Sequence, residues 1–140
     1  MSILQARRYQ RKDADLDAVA ASSVAVAWTP YTPTITAGSG TFATVSATGR
    51  YLRIGKLMNI QIAVTITTNG TAAGAVQATL PATAGAGVYV LAGRETVVAG
   101  KMLQGNIAPG GTTVNIFNYD NSYSGSNGAI LIVSGSYETA

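Results

Sequence analysis

The chain has 140 residues, 47% hydrophobic and only 11% charged, with a formal net charge of +3 and neither histidine nor cysteine. A single domain of this length buries roughly two thirds of the surface its unfolded form would expose, so no staple is required; without cysteine a disulfide framework and a thiolate metal site are excluded. Two Glu and four Asp stand against seventeen Thr, sixteen Gly and seven Tyr. This composition supplies few groups that titrate near neutral pH, so it predicts adhesion rather than catalysis, with no cofactor and no metal.

The charge is unevenly spread. Residues 1–17 hold four basic and three acidic side chains, a net +1, and the remainder holds five basic and three acidic, a net +2. Neither part is the dense basic surface that a phosphate backbone demands, so no nucleic-acid partner is expected. No stretch reaches the roughly twenty apolar residues of a membrane span, so no membrane partner is expected either. Arg7, Arg8, Arg11 and Lys12 do precede an apolar run at residues 18–27, but Asp13, Asp15 and Asp17 lie between them and break the order of a secretory leader.

In chain order, residues 1–23 read as an N-terminal arm. Gln, Ala, Arg, Lys and Leu permit helix there, yet the apolar periodicity is poor, so the expectation is an extended or partly helical arm that orders against a partner. Arg7, Arg8, Tyr9, Arg11 and Lys12 are its candidate contacts. Residues 24–140 read as one β-domain. Pro30 and Pro33 cannot donate to a ladder, so that segment belongs at a sheet edge or bridges arm and domain. Trp28 beside them is either a core plug, the default for a lone Trp, or an anchor for a partner, and Tyr31 shares the second possibility.

Short strand-like runs follow. Residues 41–47 end at Thr48-Gly49, and Tyr51, Leu52 and Ile54 precede Gly55. The clearest run is 57–68, where Met58, Ile60, Ile62, Val64 and Ile66 alternate with polar or small residues before an Asn69-Gly70 turn. Runs at 75–80, 88–91, 96–99, 102–107 and 114–117 come next, and a last one from Ala129 carries on toward Tyr137. Eight or so strands separated by Gly and Pro signals predict an antiparallel β-sandwich or barrel.

Motifs for chemistry are sparse. Gly105, Gly110 and Gly111 lack the Lys and helix start of a phosphate loop. Glu95, Asp120 and Glu138 are the only carboxylates beyond the arm, so a hydrolytic pair would have to be drawn from these three by folding, and a hydrolase would lose activity when Glu95 or Asp120 is replaced. Arg50, Arg53 and Lys56 fall on alternate faces of a strand and form no continuous stripe. The polar loop 118–128 has the Tyr, Ser, Asn and Gly composition of adaptable contact loops, which makes Tyr119, Asp120 and Tyr123 candidate receptor contacts; a plain connection is the competing reading.

One resemblance is visible. Trp28-Thr29-Pro30-Tyr31-Thr32-Pro33-Thr34, Gly40-Thr41-Phe42, Val45-Ser46-Ala47-Thr48-Gly49-Arg50-Tyr51, Ile54-Gly55-Lys56 and Val64-Thr65-Ile66 with Asn69-Gly70-Thr71 are similar to a β-domain of tailed-bacteriophage structural proteins. That domain occurs on capsid decoration proteins and on fibre tips. The similarity covers about residues 28–81, and it is greatest to the small cementing proteins on the outer capsid surface. It implies a jelly-roll-like sandwich, a homo-oligomer (dimer or trimer) and the major capsid protein as partner, and it implies no catalytic residue. A fibre-tip domain is the alternative; the short arm, without repeats or heptads, favours decoration.

Overall fold

The computed structural model describes residues 2–7 and 27–140. Residues 3–7 form a short helical turn started by a reciprocal cap: the Gln5 N–H donates to Ser2 Oγ at 3.3 Å and the Ser2 N–H donates to Gln5 Oε1 at 3.2 Å. The helical part of the expectation for the arm is therefore present in its described stretch. Arg8, Tyr9, Arg11 and Lys12 lie outside the described residues.

The domain is all-β and antiparallel, as predicted. Its nine strands are β1 (Thr29–Tyr31), β2 (Ile35–Ser39), β3 (Thr44–Ile54), β4 (Leu57–Thr68), β5 (Ala73–Thr79), β6 (Tyr89–Glu95), β7 (Met102–Ile107), β8 (Thr113–Asn118) and β9 (Ala129–Glu138). They make one sheet in the order β1-β3-β4-β9-β6-β7-β8-β5-β2, curled into a half-barrel. The period-two pattern decides which face goes in. Met58, Ile60, Ile62, Val64 and Ile66 of β4 are buried, and they meet Val76, Leu91, Leu103, Ile107, Val114, Ile116, Leu131, Val133 and Tyr137 in one core.

The curl follows from the connectivity at the edges. β1 pairs with β3 (Thr29 opposite Tyr51, Tyr31 opposite Gly49), whereas β2 pairs with β5 (Ile35 opposite Ala78). These two strands occupy opposite edges of the sheet, yet only residues 32–34 separate them. From Tyr31 to Ile35 the backbone spans at most about 14 Å, so the edges must come that close. The link is pinned on both sides: the Thr34 N–H donates to Thr79 Oγ1 at 2.9 Å and the Thr79 N–H donates to the Thr34 carbonyl at 3.1 Å. Tyr31 turns inward across it, its ring edge-on to Tyr51 at 5.9 Å and its hydroxyl donating to the Thr79 carbonyl at 3.4 Å.

Two expectations need correction. Thr48-Gly49 is not a break: β3 runs unbroken from Thr44 to Ile54, and Gly49 lies beneath the Tyr31 ring, where a Cβ would come within 2.4 Å of a ring carbon. Its glycine serves a close approach rather than a turn. Residues 96–99 are not a strand either, because they fold around the Glu95 carboxylate. Pro30 does sit in an edge strand, as the missing donor requires.

A second close approach constrains the sequence through backbone atoms. Gly93 of β6 faces Val133 of β9, and a Cβ there would meet the Ile132 carbonyl oxygen at 2.1 Å and Val133 Cα at 2.9 Å. Backbone cannot yield as a side-chain tip can. Gly93→Ala is expected to destabilise the domain by about 3 kcal/mol or more, measured as a lowered urea midpoint with an unchanged slope.

Candidate partner-binding site

Trp28 precedes β1 and stays at the surface, 43% exposed, which corrects the default expectation of core burial. The register explains its setting. Pro30, Arg50 and Gln61 lie directly across from one another on β1, β3 and β4, all on the outer face. Arg50 Nε donates to Gln61 Oε1 at 2.7 Å, and its guanidinium carbon stands 4.8 Å from the centre of the Trp28 ring. The ring and the amide together hold the Arg50 fork in one place, a cation–π contact of about 0.5–1 kcal/mol at an exposed site. Beside it the outer face sinks into an open depression of about 350 Å³ lined by Pro30, Thr48, Gly49, Arg50, Gln61, Ala63 and Ile132.

A second exposed group lies where the β6–β7 and β8–β9 connections meet. Tyr119 is 66% exposed, and its N–H donates to the Met102 carbonyl at 2.9 Å. Val97, Val98 and Met102 are exposed too. Asp120 turns back on its own loop: its Oδ1 accepts the Ser122 N–H at 3.0 Å and the Ser122 hydroxyl, and its Oδ2 faces Lys101 Nζ at 3.5 Å. The Ser122 hydroxyl and N–H hold the Asp120 carboxyl below the usual carboxylate range, with Lys101 adding to them. Tyr123 points the other way, its hydroxyl donating to Asn69 Oδ1 at 2.6 Å while its ring packs on the core.

Of the residues expected to bind a partner, Arg7, Trp28, Tyr119 and Asp120 face solvent, whereas Tyr31 and Tyr123 are turned inward with their hydroxyls committed to the fold. Sequence reasoning missed Arg50 as part of the Trp28 corner. The Trp28–Arg50 pairing crosses strands and depends on register, which no local pattern states.

Glu95 has a structural role in place of the catalytic acid its sequence position allows. It is 1% exposed, and its two oxygens accept the N–H groups of Val97, Val98, Ala99, Gly100 and Ile130. Burial opposes its ionisation, but the bonds from Val98, Val97, Gly100 and Ala99 outweigh that and bring its pKa to about 2. With its acceptor positions spent on backbone, Glu95 is a clamp for loop 96–100 rather than a proton shuttle. Among the described residues no three His, Cys, Asp or Glu side chains gather as a metal site, and no helix is long and apolar enough to cross a membrane.

No protein-family model, curated protein or solved structure matches the chain.

The Glu95 clamp has a definite pH signature. Its folded pKa of about 2 lies below the ordinary 4.5, so its contribution is complete above pH 4.5 and is lost as the pH falls from there toward 2. The difference corresponds to on the order of 3 kcal/mol. Chemical denaturation at pH 7, 4 and 2.5 is expected to show that loss in the native protein. Glu95→Gln should be less stable at pH 7 by a similar amount and should lack this part of the acid dependence.

Proposed function

We propose that this chain is a capsid decoration (cementing) protein of a tailed bacteriophage, seated on the outer surface of the virion and bridging neighbouring major capsid subunits as a homo-oligomer, a dimer or trimer. The observation that carries this reading is the Trp28 corner. An exposed Trp, held against Arg50 at the point where the arm joins the β-domain, is an anchor of the kind that dominates protein contacts. The motif resemblance over residues 28–81 points the same way, and the basic side chains of the arm add weak contacts that many symmetry-related copies multiply into avidity. A jelly-roll-like sandwich belongs to the same proposal, with the two halves of the curled sheet facing each other across the single core.

One observation favours a second reading, a receptor-binding tip of a tail fibre. Val97, Val98, Met102 and Tyr119 are exposed beside a loop already held rigid by Glu95, and rigid aromatic and aliphatic groups bind at low entropic cost.

Co-sedimentation with assembled shells and with free capsid subunits separates the two. The cementing reading expects binding to shells and not to subunits, abolished by deleting residues 1–21 and reduced about tenfold or more by Trp28→Ala without loss of the cooperative melt. The fibre-tip reading expects attachment to host cells that Tyr119→Ala removes. A tag at the C-terminus found over the whole shell supports the former, and a tag confined to the tail end defeats it.

A further inference from the structure

We infer that the outer face around Arg50 is a docking site for an acidic segment of a partner protein, one that sets an aliphatic side chain next to a carboxylate. The inference rests on reading the Trp28 corner as a partner contact and adds the chemistry of what it takes. Three features converge there. The depression has an apolar floor, Ala63 and Ile132, which are directly opposite each other on β4 and β9. Arg50 stands at one rim with only its Nε engaged by Gln61, and both terminal nitrogens of its fork have no partner among the described residues. Arg94 lies across from Ile132 on β6, exposed and, like Arg50, outside the one ion pair found among the described residues, Lys101–Asp120.

The Arg50 guanidinium at the rim of an apolar hollow, with the exposed Arg94 one strand beyond Ile132 and no carboxylate between them on these strands, makes a surface complementary to negative charge. The guanidinium fork matches a carboxylate bidentately. The apolar floor suits an aliphatic side chain, and the exposed Trp28 ring backs the Arg50 guanidinium at the rim. A phosphate group would use the cations but leave the apolar floor uncovered, and a neutral peptide would leave both arginines unpaired. A peptide alternating Asp with Leu satisfies both parts.

The test uses the full chain and a labelled peptide of alternating Asp and Leu, followed by fluorescence anisotropy and by the NMR signals of the Trp28 indole N–H and the Arg50 Nε–H. Binding is expected to move both signals, to weaken with added salt, to fall about five- to tenfold in Arg50→Gln and to be only partly restored in Arg50→Lys, which keeps the charge but loses the fork. The inference is overturned if the Asn-Leu counterpart binds equally well, if the shifts fall on Tyr119 and Val98 instead, or if a polyglucuronate binds at this corner and the peptide does not. Melting curves of the variants verify that the exposed substitutions leave the fold intact. Shell binding distinguishes this idea from the one beneath it. Undiminished shell binding by Arg50→Gln sinks the acidic-segment inference alone, whereas peptide binding by a protein that ignores shells sinks the cementing role alone.

Discussion

The half-barrel depends on one stretch of chain that changes partners midway. Residues 29–31 extend the ladder beyond β3, and after the short link 32–34 residues 35–39 extend it beyond β5. A strand shared in this way cannot be satisfied by an open, flat sheet. It forces the far ends of the ladder toward each other, and that in turn gives the alternating apolar residues of seven other strands a common interior. Pro30 and Pro33 suit the arrangement because a break in the ladder is needed between them, and a residue without an N–H loses nothing there. Tyr31 completes it by spending its hydroxyl on the Thr79 carbonyl and its ring on the space above Gly49.

The same economy appears where β6 ends, in a different chemical form. Residues 97–100 have no ladder partner, so their N–H groups require acceptors from elsewhere. Glu95 supplies them from the last position of β6. A buried carboxylate would be costly alone, but surrounded by five donors it becomes the group around which an otherwise irregular loop is organised. That leaves Val97 and Val98 displayed at the surface on a firm base, whatever they contact.

Much of this architecture was legible in the residues. β4 and β7 fall where alternation and punctuation put them, because a strand with one buried face must repeat every two residues. The inner face of β4 could be named residue by residue. What escaped was information that lives between strands. Gly49 looks like a turn until Tyr31 is found above it, and Val97-Val98 looks like a strand until Glu95 is found beneath it. Trp28 looks like core because large aromatics usually are; it stays outside because its neighbours in space, Pro30 and Arg50, lie on the outer face of an edge. Tyr119 and Tyr123 sit four residues apart in one polar loop, yet one projects outward while the other is drawn into the core, and the difference is set by Asn69, more than fifty residues away.

The placement of β9 bears on how the molecule is made. The final strand is not at a margin but in the middle of the sheet, between β4 and β6, with Leu57 paired to Glu138 and Ile66 to Ala129. On the ribosome, β3 and β4 emerge as a hairpin with one flank of β4 bare, and the complement to that flank is synthesised about sixty residues later, a wait of several seconds at ordinary elongation rates. Throughout that interval the most apolar strand of the protein offers an unpaired backbone to any chain nearby. A product truncated before Ala129 would keep that bare flank permanently, so premature termination yields a sticky fragment and not a smaller version of the domain.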